Sequence, residues 1–180
     1  MQLLRALLLA FTVVLTVPSC VYFGVNAPAV PAPGTQVRWP GRAFTEVRAY
    51  CYDYTAEKKR SFFIEGRMHQ GVMDPAGVKL TPPQVRRLMK MLAVSHDKQA
   101  RTPCYKPHHA FVFYGPQHEV VAVFEMCFGC NQFVETPEGL PEHVDTAGLQ
   151  GLVQELGLPF GVGNAFYTEA CGRGQAKVGR

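Results

Sequence analysis

The chain has 180 residues, of which 47% are hydrophobic and 18% are charged, and its formal net charge at pH 7 is +4. This composition is typical of a globular protein and excludes an intrinsically disordered chain. The small positive charge gives no reason to expect nucleic-acid binding. The length suits a single domain with one hydrophobic core.

Residues 1–19 have the features of a secretory signal peptide. Arg5 supplies a positive charge, residues 6–17 form an apolar run, and small residues precede Cys20. The run is too short for a membrane span, which needs about 20 apolar residues. Residues 17–20 resemble the lipobox of bacterial lipoproteins, in which the cysteine becomes the N-terminus and carries acyl chains such as palmitate. The resemblance implies acylation of Cys20, and ordinary secretion is the alternative.

A proline-rich segment follows the proposed lipid anchor. Residues 20–41 contain four prolines among alanines and glycines. This composition predicts a semi-extended tether that holds the domain at residues 42–171 away from a membrane.

The first half of the domain combines strand patterns with one helix. Residues 44–54 alternate and are rich in valine and tyrosine, which predicts a strand. Residues 61–65 and 71–79 suggest further strands of an antiparallel meander, with a turn at residues 74–77. Thr81 then predicts a helix N-cap, with Pro82 at the first helical position. The buried stripe of this helix has the spacing i, i+3, i+4, i+7 and consists of Val85, Leu88, Met89 and Leu92.

A β-hairpin is predicted next. Residues 111–114 and 120–124 are apolar runs, and the turn at residues 115–118 separates them. We predict a register in which Ala110 faces Val123. This pairing brings the segment around Cys104 close to the end of the second strand, where two further cysteines lie.

The domain ends with a second amphipathic helix. It begins near Asp145 or Thr146, and Gly157 is a natural stop. Its buried stripe is Leu149, Leu152, Val153 and Leu156. Residues 172–180 show no apolar periodicity and predict a flexible basic tail. The predicted class is therefore α+β: a single domain with a small antiparallel sheet, a Cys/His-bearing hairpin and two packed helices.

Six cysteines, less a lipidated Cys20, leave five, which cannot all pair within one chain. One partition joins Cys51 to Cys171 and leaves three hairpin cysteines for a metal. Another makes two disulfides and leaves one free thiol. The sequence leaves both partitions open.

The cysteines and histidines at the open end of the hairpin have three interpretations. A metal site for Zn²⁺ or Cu(I) would use Cys104, Cys127 and Cys130 with either His108 or His109, because thiolates and imidazoles are the ligands that these ions prefer. A structural disulfide would join Cys104 to Cys127 or Cys130, and an exported compartment favours it. Thiol–disulfide exchange would use the Cys-x-x-Cys pair itself.

The stretch from Cys104 to Tyr114 and the segment Cys127-Phe-Gly-Cys-Asn131 together resemble an uncharacterised family of exported bacterial proteins. The family pattern is a cysteine, a proline, one or two histidines and a strand ending in tyrosine, then a second strand ending in Cys-x-x-Cys-Asn. The Glu-Leu-Gly-Leu-Pro sequence at residues 155–159 extends the similarity, which covers residues 80–160. The resemblance implies that the hairpin is one structural unit, and it implies no activity or substrate.

These observations predict a lipid-anchored protein of the bacterial cell envelope that faces the periplasm or the exterior. We expect a structural or binding module, not an enzyme, with a membrane contact through its lipid and an envelope protein as a further partner. The alternative is a thiol–disulfide redox protein or a thiol-dependent enzyme that uses the Cys-x-x-Cys pair.

Overall fold

A computed structural model describes residues 37–57 and 61–179. The predicted signal peptide, the lipidation site Cys20 and most of the predicted tether lie outside the described residues. Within the described ranges, no helix is both long enough and apolar enough to cross a membrane.

The described chain forms an α+β domain, as the sequence predicts. Its elements are β1 (Glu46–Cys51), β2 (Phe63–Ile64), β3 (Arg67–Met68), β4 (Val78–Lys79), α1 (Pro82–Ala93), β5 (His109–Tyr114), β6 (Val120–Cys127), β7 (Gln132–Thr136), α2 (Thr146–Glu155) and α3 (Asn164–Val178). Five strands make one sheet in the order β4-β1-β5-β6-β7, and β2 pairs with β3 separately. Every pairing is antiparallel.

Both faces of the five-stranded sheet are covered. Because side chains alternate across a strand, Phe111 and Phe113 of β5 point to one face, and Ala110 and Val112 point to the other. The first face packs against buried residues of α1, α2 and α3. The second face carries a smaller cluster that includes Phe62 from the segment between β1 and β4. The central strand β5 is consequently buried along its whole length.

The two predicted helices are confirmed. The backbone N–H of Thr81 donates to the Gln84 side chain at 2.8 Å, and Pro82 occupies the first helical position of α1. Asp145 caps α2, because its carboxylate accepts the N–H of Gly148 at 2.8 Å. The buried residues of the two helices include Leu88, Leu92, Leu149, Leu152 and Val153 from the predicted stripes.

The predicted hairpin is present, but its predicted register is wrong by two residues. Ala110 pairs with Glu125 and not with Val123. One residue is gained at the turn, where Tyr114 pairs with Val120, and another at a β-bulge next to it. A shift of two residues leaves every side chain on its predicted face, because the side-chain period of a strand is two.

The N-terminal boundary of the domain lies earlier than the sequence predicts. Trp39, assigned to the tether, is only 4% exposed. Its indole N–H donates to the carbonyl oxygen of Pro137 at 2.7 Å, and its ring meets Phe113 edge-on at 5.0 Å. Residues from Val37 onward therefore belong to the folded domain.

The C-terminal boundary also differs, since most of the predicted tail is the second half of α3. The side chain of Gln175 donates to the carbonyl oxygens of Gln70 and Val72, both at 2.9 Å. Gly174 lies so close to Met73 that a β-carbon would clash. These contacts hold the helix through hydrogen bonds and a small residue, which a search for apolar periodicity does not detect.

The segment predicted as a strand over residues 71–79 is mostly a loop. Only Val78–Lys79 pairs as a strand, and Val72 makes an isolated bridge with Tyr52. The turn predicted at residues 74–77 is confirmed by the hydrogen bond from Gly77 N–H to the Asp74 carbonyl oxygen, and Gly77 takes a positive φ of 59° beside the Tyr50 ring.

The position of Trp39 generates a test of the corrected domain boundary. Trp39→Ala should lower the free energy of unfolding by about 3–5 kcal/mol, the usual cost of truncating a buried aromatic side chain. Arg42→Ala, at an exposed position three residues later, is the matched control. Urea unfolding of both variants measures the difference. Equal stability of the two variants would restore the boundary that the sequence suggested.

Candidate functional site

The cysteine pair at the end of β6 is closed upon itself. Cys127 ends the strand, Phe128–Cys130 forms a short 3₁₀ turn, and Asn131 turns the chain into β7 with a left-handed φ of 51°. The two sulfur atoms lie at disulfide distance, and the Cα atoms are 5.6 Å apart. Both residues are buried, with 3% of Cys127 and 1% of Cys130 exposed. The disulfide predicted between Cys104 and this segment is therefore replaced by one within the segment.

Cys104 is close to this disulfide but is not part of it. Its residue is exposed and its thiol is free. Its carbonyl oxygen lies 3.6 Å from the sulfur of Cys127, and the backbone nitrogen of Lys106 lies 3.4 Å from the same sulfur. The predicted proximity of the two segments is thus confirmed at the level of the main chain.

A second cysteine pair links β1 to α3. The sulfur atoms of Cys51 and Cys171 are 3.9 Å apart, and both residues are buried. The hydrogen bond to Cys171 and burial raise the pKa of the Cys51 thiol well above its ordinary value. The sequence offered this pairing as one of two partitions, and the fold brings the two residues together.

His109 lies between the two cysteine pairs in a row across the sheet. It pairs with Cys51 on one side and with Met126 on the other. Its Nε2 atom is 2.8 Å from the carbonyl oxygen of Pro159. A carbonyl can only accept, so Nε2 carries the proton. Burial lowers the pKa of His109 to about 4, which makes the ring neutral at pH 7.

The Pro159 carbonyl is a shared contact of this row, because the sulfur of Cys51 also lies 4.0 Å from it. Pro159 belongs to the connection between α2 and α3. The Nδ1 atom of His109 is buried and has no hydrogen-bond partner among the described residues. This histidine therefore ties the connection to the sheet through a single hydrogen bond.

His108 lies just before β5 and, like His109, contacts Tyr167 of α3. Its Nδ1 atom donates to the carbonyl oxygen of Tyr52 at 3.1 Å. Its ring stacks on Tyr167 of α3 with a centroid separation of 3.7 Å. Burial lowers the pKa of His108 as well. Both histidines are consequently neutral side chains that bind backbone carbonyls.

The predicted metal-ligand set is not assembled in this arrangement. Among the described residues, no group of three or more histidine, cysteine, aspartate and glutamate side chains is placed to hold a metal ion. Cys127 and Cys130 bond to each other, and His108 and His109 each bind a backbone carbonyl oxygen.

Two buried acidic residues near the site make contacts that were not predicted from the sequence. Asp53 accepts hydrogen bonds from Thr55 and, at 2.7 Å, from the Thr168 hydroxyl of α3. Glu125 accepts from the hydroxyl of Tyr52 at 2.9 Å, and burial raises the pKa of its carboxyl. The Asp-x-Thr spacing at residues 53–55 is a local capping signal that the sequence does carry. The Tyr52–Glu125 contact depends on the strand register and has no local signal.

A comparison with models of known protein families finds no match to this chain. Comparisons with curated proteins and with solved structures also find no match. The similarity to an exported bacterial family therefore stays a prediction.

The environment of His109 predicts a pH dependence of stability. An unfolded histidine titrates near pH 6.5, so between about pH 6.5 and 4 the unfolded chain binds a proton that the folded chain excludes. The stability contributed by the neutral ring is present above this window and is lost as the pH falls through it, by up to ~3 kcal/mol.

His109→Gln keeps a donor for the Pro159 carbonyl but removes the titration. The loss of unfolding free energy between about pH 7.5 and about pH 4.5 should be smaller in this variant than in the wild type. His118→Gln, in the exposed turn, is the control. An identical pH dependence in all three proteins would contradict the buried neutral histidine.

Proposed function

We propose that this protein is an exported, lipid-anchored module of the bacterial cell envelope with a structural or binding role, and that cysteine pairs stabilise its sheet. The observation that carries the proposal is the distribution of the cysteines. Four of the five that follow Cys20 lie in two close pairs, and the fifth, Cys104, is exposed. Disulfides persist in oxidising compartments and are rare in the cytosol.

The signal-like N-terminus supports the same compartment. In the proposal, acyl chains on Cys20 contact the membrane, and residues 21–36 are the spacer, because the folded domain includes Val37 and Trp39. The domain is then presented to the periplasm or the exterior, where an envelope protein can bind it.

The state of the histidines favours a structural role for the region around the cysteines. His108 and His109 each use one ring nitrogen to hold a backbone carbonyl, and burial keeps both neutral. A general acid or base needs a ring nitrogen that can reach a substrate, whereas these rings are enclosed by Tyr167 and Phe160.

Thiol–disulfide exchange is the second candidate function. The exposed residue Cys104 favours it, because its carbonyl oxygen lies 3.6 Å from the sulfur of Cys127 and exchange requires a free thiol that can reach a disulfide.

The lipid anchor is tested by Cys20→Ser. This variant should move from the membrane fraction to the soluble fraction, because the acylated sulfur is removed. Cys104→Ser is the control and should remain with the membrane. Mass spectrometry of the wild type should find acyl chains on Cys20. A wild type without lipid, together with an unchanged distribution of Cys20→Ser, would refute the anchor.

The second cysteine pair is tested by a double-mutant cycle of Cys51→Ala and Cys171→Ala. If an oxidised bond joins the two residues in the envelope, each single variant loses it, at a cost of ~2–5 kcal/mol. The double variant should then be hardly less stable than either single variant. Labelling of denatured, unreduced protein should find Cys104 as the one free thiol of the domain. Labelling of both Cys51 and Cys171 in that sample would exclude the bond.

A further inference from the structure

The buried disulfide between Cys127 and Cys130 has one neighbouring sulfur that solvent can reach. Only 3% and 1% of these two residues is exposed, whereas Cys104 is exposed. Exchange requires a thiolate to approach a disulfide sulfur directly. An external thiol can therefore reach Cys104 more readily than it can reach the disulfide.

We propose that Cys104 is the entry cysteine of an internal thiol–disulfide exchange that connects the buried disulfide to thiols and disulfides outside the protein. This inference rests on the second candidate function and specifies its route. The carbonyl oxygen of Cys104 is 3.6 Å from the sulfur of Cys127, and the exchange requires the Cys104 side chain to rotate toward that sulfur.

The first step is an isomerisation and needs no oxidant. The Cys104 thiol loses its proton to solvent, and its sulfur bonds to the sulfur of Cys127. The bond between Cys127 and Cys130 breaks, and Cys130 leaves as a thiolate that takes up a proton. One disulfide is formed and one is broken, so the oxidation state of the protein is unchanged.

The neighbours of each sulfur favour attack on Cys127. The sulfur of Cys130 is 3.7 Å from the carbonyl oxygen of Cys127, which can accept a hydrogen bond from the released thiol. The main chain of residues 104–106 lies against the sulfur of Cys127, which receives the N–H of Lys106 at 3.4 Å. The incoming sulfur of Cys104 and the leaving sulfur of Cys130 thus have different neighbouring groups.

The new bond between Cys104 and Cys127 is open to an external partner. A thiolate from outside attacks the exposed sulfur of Cys104 and forms a mixed disulfide, while Cys127 leaves as a thiol. A second thiol of the same partner then attacks its own sulfur in that mixed disulfide and releases Cys104. The partner dithiol is oxidised and the pair Cys127 and Cys130 is reduced, and the reverse sequence oxidises the pair.

The rate of native reduction tests this route. Full-length wild type and Cys104→Ser are treated with dithiothreitol, or with the protein dithiol thioredoxin, and samples are alkylated and mapped by mass spectrometry. Reduction of the bond between Cys127 and Cys130 should be at least about tenfold slower in Cys104→Ser, because the accessible sulfur is missing. The reductant with the larger ratio identifies whether small or protein thiols use the route.

Thr102→Ala, which removes the hydroxyl 3.4 Å from the Cys104 sulfur, is the control and should react like the wild type. All three proteins should react at the same rate in denaturant, where access is equal. Equal native rates for wild type and Cys104→Ser with both reductants would overturn the inference.

A second pair of variants tests which sulfur Cys104 attacks. With glutathione disulfide, Cys130→Ser should form a bond between Cys104 and Cys127. The matched variant Cys127→Ser should stop at a glutathione adduct on Cys104. A bond in Cys127→Ser but not in Cys130→Ser would overturn the assignment of Cys127. If neither reductant reduces the bond between Cys127 and Cys130 in the native wild type, the candidate exchange function fails as well; if the bond is reduced at a rate independent of Cys104, only this inference fails.

Discussion

The burial of β5 on both faces is the constraint on which the rest of the structure depends. All six residues of this strand are buried, between β1 and β6 within the sheet and between two apolar clusters across it. Each buried phenylalanine or valine contributes about 1.5–3 kcal/mol through removal from water. A strand held in this way has one allowed register and one allowed facing. The side chains at its first residue and just before it, His109 and His108, are therefore fixed in direction before any of their own contacts are considered.

The directions of these two histidine side chains determine which groups they contact at this end of the sheet. His109 meets the connection between α2 and α3 at Pro159, and His108 meets Tyr52 and Tyr167. The same end of the sheet holds Cys51 at the last residue of β1 and Cys127 at the last residue of β6. One cysteine pair thus lies between α3 and β1, and the other closes the turn after β6. The neutral rings of the two histidines therefore lie at the same end of the sheet as both cysteine pairs.

Among the five cysteines that the structure describes, Cys104 differs from the other four in its position outside this packed region. The segment that carries it runs along the end of β6, and its main chain touches the sulfur of Cys127, while its own sulfur stays in solvent. A sulfur in that position adds little to packing, since the disulfide beside it already closes the turn. In the proposed exchange, this position connects solvent to a disulfide that the fold has enclosed. The disulfide thus lies in a buried chain segment, and the free thiol of Cys104 lies in a neighbouring exposed segment.

The sequence by itself determined the features that depend on neighbours along the chain. The cap at Asp145, the cap and proline at Thr81 and Pro82, the helical stripes and the hairpin with its turn all have local causes, and together they predict the α+β class. Tertiary structure alone decided the bulge that shifts the hairpin register, the burial of Trp39, and the second half of α3, which Gln175 and Gly174 hold. It also decided how five cysteines divide, because Cys51 and Cys171 are separated by 120 positions and meet only when α3 packs on the sheet. The spacing of residues along a chain shows which face of a helix or strand is buried. The pairing of distant cysteines depends instead on how whole helices and strands pack together.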